Sequence, residues 1–163
     1  MDLRSGCPIN LAVEVLGDRW SLVILRDIMF GNLRTYGELH GKSLEGIATN
    51  ILASRLKSLT EQGLITSAPD PGHKQRTIYS FTEMAIELVP VMAQLGTWGA
   101  KHLPASPLFS ARAVALDEGG PAMWDDFMDE LRHLHLGAPA PKRSVLAVLE
   151  AAYLKALDTQ AVA

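Results

Sequence analysis

The sequence contains a single cysteine, Cys7, few aromatic residues (6%) and no long apolar run. One cysteine excludes an internal disulfide framework and is typical of the reducing cytoplasm. No segment approaches the roughly 18 consecutive apolar residues of a membrane-spanning helix, and residues 1–10 lack the apolar stretch of a secretory signal. Glycine-rich phosphate loops and nucleophile elbows are also missing. We therefore predict a cytoplasmic protein that is not an enzyme, binds no cofactor and does not associate with a membrane.

Metal-ligand patterns are likewise missing from the sequence. The five histidines are scattered: His40, His73, His102, His133 and His135. The last two are two positions apart in a predicted helix, so they point to different sides, and no thiol or carboxylate pattern joins them. Four acidic residues do cluster on that helix: Asp125, Asp126, Asp129 and Glu130. We interpret them as a solvated helix face rather than as a carboxylate site, and we predict no metal.

Positive charge is not in excess. The chain has 15 Lys and Arg against 18 Asp and Glu, a net charge of −3, whereas dedicated nucleic-acid binders are usually basic. The acidity lies in residues 104–163, with five positive and eight negative groups, while residues 1–103 carry ten of each. Within residues 42–76 there are five positive and three negative groups. A hydrophobic content of 48% is ordinary for a globular protein with a core.

Two helices are predicted at the start of the chain. Pro8 suits the first turn of a helix that ends at Gly17, and Asp18 can cap a second helix over residues 19–30, closed by Gly31. This second helix is apolar on nearly every side, so it is expected to be buried on more than one side.

A helix-turn-helix is predicted next. Thr35 and Glu38 have the spacing of a capping box and begin a short helix through about His40. After a turn at residues 41–46, a longer helix covers residues 48 or 49 to 62 and ends at Gly63. Its leucines at 52, 56 and 59 recur at helical spacing and define the buried side.

The other side of this helix is a candidate for reading DNA, because a helix fits the major groove and its first turns lie closest to the base edges. The candidate residues are Thr49, Asn50, Ser54, Arg55, Lys57 and Ser58. Asn50 can read adenine or contact a phosphate. Arg55 lies nearer the core side and can bind a phosphate or form an ion pair within the protein. The alternative for the whole set is an exposed polar face that contacts nothing.

A two-stranded wing follows. Residues 64–68 and 77–81 predict strands, joined by a turn-rich loop over residues 69–76. His73, Lys74 and Arg76 at the end of this loop suit phosphates or the minor groove beside the site. A solvated hairpin tip is the alternative.

The rest of the chain is predicted to be helical. Thr82 caps a helix to about residue 102 with a kink or restart at Pro90, residues 103–116 break the pattern, residues 121–135 form an amphipathic helix, and Ser144 caps a last helix to about residue 158. The fold class is therefore mainly α with a small β-wing. We expect a winged helix-turn-helix domain for DNA binding and dimerisation over residues 1–103, and a helical C-terminal extension of unknown role over residues 104–163.

The sequence resembles the HxlR-type (MarR-like) bacterial transcriptional regulators. The matching segments follow in order along residues 7–102: CPI (7–9), VLGDRWSLVILRD (15–27), YGEL (36–39), IATNILASRLKSL (47–59), GLI (63–65), YSFT (79–82), LVPV (88–91) and WG (98–99). The resemblance implies a winged helix-turn-helix homodimer on operator DNA, with dimer contacts from the N-terminal helix and the long helix after the wing.

Three positions depart from the family pattern. Ala48 stands where a serine cap is frequent, and we expect Thr49 to replace it. Thr66-Ser67 replaces an acidic-basic pair, and Met84-Ala85 replaces a lysine-glycine pair. None of these changes removes the predicted DNA face.

Cys7 is a candidate redox sensor. It precedes Pro8 near a helix N-terminus, where the helix dipole favours a thiolate, and some members of the family sense oxidants or electrophiles at this position. The alternative is an unreactive thiol near the end of the chain. With no second cysteine, a switch would need a partner protomer or a small thiol.

We therefore expect a regulator that binds double-stranded, pseudo-palindromic operator DNA as a homodimer and represses by competing with transcription, or in some cases activates it. Two alternatives remain. One is a protein-interaction module built on the same fold. The other is a sensor with a small-molecule effector, enclosed by the tail residues Met123, Trp124, Phe127 and Met128; a packing face is the simpler reading of those four residues.

Overall fold

A computed structural model of the chain describes residues 5–162. Within this range there are eight helices and one two-stranded antiparallel sheet: α1 (Pro8–Leu16), α2 (Arg19–Gly31), α3 (Tyr36–Lys42), α4 (Thr49–Glu61), β1 (Ile65–Asp70), β2 (His73–Phe81), α5 (Glu83–Ile86), α6 (Val89–His102), α7 (Pro107–Leu136) and α8 (Val145–Val162). The predicted fold class, mainly helical with a β-wing, is confirmed. The elements form two compact units that divide after Thr82. A functional domain boundary near residue 103 remains a prediction.

Local capping signals define the starts of α2 and α3 in the first unit. The Asp18 carboxylate accepts hydrogen bonds from the backbone N–H groups of Trp20 and Ser21, both at 3.0 Å, as predicted. Thr35 and Glu38 form the predicted capping box at the start of α3. At the end of α2, it is Asn32 rather than Gly31 that takes the left-handed conformation, with φ of 48°. Asparagine tolerates this conformation better than most residues.

The core of the first unit is built around α2, which contacts α1, α3 and α4. Its buried side chains include Ile24, Leu25, Ile28 and Met29. They are joined by apolar residues of the later elements: Leu39, Leu52, Leu56, Leu59, Ile65 and Phe81. The prediction that α2 is buried on more than one side agrees with this position.

The wing is longer than predicted. Antiparallel pairing runs from Ile65 opposite Phe81 to Pro69 opposite Thr77, and a register shift follows before Asp70 pairs with His73. Most of the predicted loop at residues 69–76 is therefore strand, because the ladder continues almost to the turn. The Asp70 carboxylate accepts a hydrogen bond from the Gly72 N–H at 2.8 Å and so closes the turn.

In the second unit, the helix predicted after the wing is two helices. α5 ends at Ile86, and α6 restarts at Val89 with Pro90 in its first turn, where a missing N–H costs nothing. The predicted break over residues 103–116 is wrong beyond Ser106. Pro107 begins α7 instead of preventing a helix there.

Helix α7 bends sharply in its middle. Gly120 has non-helical angles (φ 60°, ψ −161°) and precedes Pro121, so α7 consists of two helical stretches. The Trp124 indole N–H donates to the Leu116 carbonyl oxygen at 2.9 Å and spans the bend. Helix α7 packs against both α6 and α8.

The acidic cluster of α7 is not uniformly solvated, which corrects the prediction for Glu130. Asp125 and Asp129 are exposed, whereas Glu130 is only 7% exposed. Its carboxylate accepts from the backbone N–H groups of Val145 and Leu146 at 2.7 and 2.9 Å, and from the Ser144 hydroxyl at 2.5 Å. Glu130 therefore holds the start of α8.

The predicted Ser144 cap is also present, since its hydroxyl accepts from the Ala147 N–H at 3.1 Å. None of the described helices combines the length and apolarity needed to cross a membrane. No group of three or more His, Cys, Asp or Glu side chains in residues 5–162 is arranged to hold a metal ion.

Candidate nucleic-acid interface

Several contacts from other elements hold helix α4 at the end of the helix-turn-helix. The Tyr36 hydroxyl of α3 donates to the Thr49 carbonyl oxygen at 3.0 Å. In the turn, the Arg26 guanidinium binds both carboxylate oxygens of Glu45, at 2.6 and 2.7 Å. Gly46 has a positive φ of 66°, which a side chain would disfavour. These contacts fix where the first turn of α4 begins.

Helix α4 has two clearly different sides. Leu52, Leu56 and Leu59 are buried. Of the residues predicted to face DNA, four are exposed and two half-buried at the margin: Thr49, Asn50, Ser54 and Lys57 in the first group, Arg55 and Ser58 in the second. The structure thus brings all six to the outer part of one helix, and their role in DNA binding remains a prediction.

The half-buried residues already have partners within the protein. The Arg55 guanidinium lies 3.4 Å from the Asp18 carboxylate and 3.4 Å from the Ser54 hydroxyl. An ion pair within the protein, one of the two alternatives for Arg55, is therefore present. The Ser58 hydroxyl accepts from the Gln62 amide at 3.2 Å.

The N-terminus of α4 lacks a side-chain cap. Ala48 occupies the N-cap position with extended backbone angles, and no side chain accepts a hydrogen bond there. Thr49 is the first residue of the helix and does not replace the missing serine, so that expectation is wrong. The reason is positional, because a capping side chain must precede the helix.

The three wing residues lie on strand β2, near its start, rather than in a loop. His73, Lys74 and Arg76 are all exposed. Arg76 pairs with Asp70 across the turn, with 2.5 Å between Nε and the carboxylate oxygen. The Gly72 N–H and the Arg76 guanidinium together lower the pKa of Asp70, so this carboxylate is charged near neutral pH. Lys74 forms no ion pair with any residue in the described part of the chain.

Arg34 is an anchor of the wing that sequence reasoning missed. Its carbonyl oxygen accepts from the Tyr79 N–H at 2.7 Å, and its guanidinium donates to the Tyr79 carbonyl at 3.2 Å and to the Ser80 hydroxyl. Thr35 forms an isolated bridge with Ile78. The partners are more than 40 residues apart, so no local signal could have shown this contact.

A groove of about 390 Å³ lies between the start of α3 and strand β2. Its lining residues are Thr35, Tyr36, Gly37, Gln75, Arg76, Thr77 and Tyr79. Burial, with a smaller contribution from Tyr36, raises the pKa of the Tyr79 hydroxyl, which is therefore uncharged near neutral pH and can act as a hydrogen-bond donor.

Cys7 is exposed at the N-cap of α1, and its side chain forms no capping hydrogen bond. Its role as a sensor remains a prediction. In the tail, Met123 and Phe127 are buried and Trp124 and Met128 are half-buried. An effector site at these four residues likewise remains a prediction.

Comparisons with known proteins agree with this architecture. The family model described as HxlR-like helix-turn-helix matches residues 15–107. The chain is 37% identical, over 99 residues, to an uncharacterized HTH-type transcriptional regulator of Mycobacterium bovis, and the match covers 61% of each protein.

The solved structures that are similar to the chain include the following two. One is the crystal structure of PA1607, a proposed transcription factor, with 35% identity, a TM-score of 0.57 and coverage of 63% of this chain and 69% of that one. The other is a proposed MarR-family regulator from Porphyromonas gingivalis W83, with 26% identity, a TM-score of 0.53 and coverage of 63% and 99%. Because the family model matches more than half of the chain, including the helix-turn-helix and the wing, the chain belongs to the HxlR-like helix-turn-helix family.

Proposed function

We propose that this protein is a transcriptional regulator that binds operator DNA as a homodimer and inserts α4 into the major groove. The observation that carries the proposal is the division of α4 into a buried leucine side and an exposed polar side. Asn50 and Ser54 are exposed in its first two turns, which are the turns closest to base edges in a docked recognition helix.

The exposed residues suit both parts of DNA recognition. An asparagine amide can donate to and accept from the edge of adenine, and a serine hydroxyl can do either with several bases. Lys57 and the wing residue Lys74 provide ammonium groups for phosphates, which fix the register of a protein on the duplex. His73 lies at the wing tip beside Lys74 and can add a further contact.

Exposed apolar side chains support a dimer. On α1, Ile9 and Val13 are 73% and 57% exposed. On α6, Val91, Leu95 and Trp98 are 51%, 46% and 55% exposed. A second copy that covers these side chains would present two recognition helices to one duplex. The two protomers would then read two half-sites about 34–36 Å apart, which is one turn of DNA.

The test separates base reading from phosphate binding. A binding site is first selected from random duplexes, and affinities for that site and for a random duplex are measured by fluorescence anisotropy at several salt concentrations. Asn50→Ala should lower the affinity for the selected site by about 5- to 100-fold, which is the effect of losing a bidentate base contact, and should change the affinity for random DNA little. Lys74→Ala should lower the affinity for both duplexes. It should also reduce the salt slope, which is the slope of log affinity against log salt concentration, by about 0.9 in magnitude.

Lys155→Ala in the tail is the control, because it removes an exposed lysine outside the proposed face. Equal losses on both duplexes for Asn50→Ala would contradict the base-reading role. No salt-dependent binding of the wild-type protein to any duplex would instead favour a protein-interaction module.

A further inference from the structure

Most of the positive charges on the proposed DNA face lie beside a carboxylate of the same chain. Four residues of this face carry a permanent positive charge: Arg55, Lys57, Lys74 and Arg76. Asp18 lies 3.4 Å from Arg55, Glu61 lies 3.7 Å from Lys57, and Asp70 lies 2.5 Å from Arg76.

The Asp70 carboxylate is held beneath the guanidinium that it neutralises. Its side chain is 8% exposed, whereas that of Arg76 is 52% exposed. The Gly72 N–H binds the other carboxylate oxygen at 2.8 Å and fixes it at the turn. A phosphate that approaches Arg76 from solvent therefore meets a cation whose own counter-charge stays in place.

Asp18 is fixed just as firmly beside Arg55. It caps α2 through the N–H groups of Trp20 and Ser21, and it accepts from the Ser21 hydroxyl at 2.5 Å. The contact with Arg55 is the longest of these, at 3.4 Å. Arg55 is thus the partner that can move, while the carboxylate is required where it is by the helix that it caps.

From these contacts we propose that Asp18 and Asp70 tune DNA affinity, by competing with the phosphates of the duplex for Arg55 and Arg76. This inference rests on the proposed function. A guanidinium and the fixed carboxylate beside it together have little net charge, so the pair attracts a phosphate less than an unpaired guanidinium would and contributes less to the salt-dependent part of binding. Lys74, with no such neighbour, provides the uncompensated attraction of the wing.

Asparagine at either position tests the idea, because its amide oxygen still accepts the backbone N–H bonds of the cap or turn while the negative charge is gone. We expect Asp70→Asn and Asp18→Asn each to tighten binding to both selected and random duplexes by about two- to fivefold, which is the scale of an exposed ion pair. The salt slope should become steeper by up to about 0.9 for each variant.

Asp117→Asn is the matched control, since it makes the same change of net charge at an exposed residue of α7 that forms no ion pair in the described range. A double-mutant cycle tests whether the effect of Asp70 acts through Arg76. In an Arg76→Ala background, Asp70→Asn should tighten DNA binding less than it does in the wild-type background, because it then removes only the repulsion between this carboxylate and the phosphates. Circular dichroism and thermal melting check that each variant is folded.

Unchanged or weaker DNA binding by both asparagine variants, with binding by the wild-type protein intact, would overturn the competition. So would equal tightening by Asp117→Asn, because the effect would then come from net charge alone. Failure of the wild-type protein to bind any duplex would contradict the proposed function itself, which keeps the two failures distinguishable.

Discussion

The two compact units start their helices in different ways. In the first unit, Asp18 and the Thr35–Glu38 pair cap helices within three residues of themselves. In the second, the start of α8 has a local cap in Ser144 and a distant one in Glu130, which lies 15 residues before Val145. A helix start that is capped locally can be predicted from the sequence, whereas a helix start that is capped from another helix depends on tertiary packing.

A distant cap that depends on packing should make the second unit sensitive to changes in its core. Phe127 is fully buried in α7, so Phe127→Ala should lower the free energy of unfolding by about 3–5 kcal/mol. Urea denaturation followed by circular dichroism measures this loss. Met128→Ala, at the half-buried neighbour, should cost much less, and equal losses would show that α7 does not depend on this packed side.

Glu130→Gln tests the distant cap directly. The Glu130 carboxylate accepts both backbone N–H groups on one oxygen and the Ser144 hydroxyl on the other. Glutamine keeps one of these oxygens but carries no charge. A cost of about 2 kcal/mol is expected because hydrogen bonds to a charged acceptor are stronger than those to an amide. Hydrogen exchange at the amides of Val145 and Leu146 should accelerate. The exposed Asp125→Asn is the control, and protection unchanged from wild type would mean that α8 starts without this cap.

The Ala48→Ser substitution tests whether a local cap can be added to α4, which lacks one. Ala48 has the extended backbone of an N-cap residue, with φ −69° and ψ 145°. A serine hydroxyl there should stabilise the protein by about 1 kcal/mol, which thermal melting would detect as a higher Tm. Ala53→Ser, at an exposed position inside α4, should not stabilise. A gain there of the same size would argue against capping as the cause.

The smallest expected effect is that of Glu38→Gln, because glutamine can retain the capping box. Hydrogen bonds from the Thr35 hydroxyl and from the backbone lower the pKa of Glu38. The charged form thus stabilises the fold above its ordinary pKa of 4.5, and this contribution is lost as the pH falls through the lower folded value. The free energy of unfolding at pH 7 should be about 0.5 kcal/mol higher for the wild-type protein than for the variant. Urea titrations at several pH values should show this gap closing in acid; a constant gap would contradict the assignment.

The sequence predicts best those features that depend on neighbouring residues. The caps at Asp18, Thr35 and Ser144, and the restart at Pro90, follow from short-range stereochemistry and appear where expected. The leucine side of α4 was also predictable, because helical spacing alone reveals it. Four exposed residues of the candidate site could be placed for the same reason.

What the sequence could not predict involves contacts between distant residues. The extra length of the wing comes from pairing between strands, and the anchoring by Arg34 joins residues 45 positions apart. The start of α7 does not follow from the sequence either, because a proline is compatible both with a break and with a first helical turn, and Pro107 lies in a first turn. The pairing of Arg76 with Asp70 likewise depends on how the two strands pair at the turn.

The hydrogen bond from the Tyr36 hydroxyl to the Thr49 carbonyl has a mechanical consequence. It joins α3 to the first turn of α4, while the ion pair between Arg26 and Glu45 holds the turn between these two helices. Helix α4 cannot rotate alone about that turn without breaking these bonds. A rotation of α4 is therefore expected to carry α3 with it, about a hinge outside the segment from Tyr36 to Thr49.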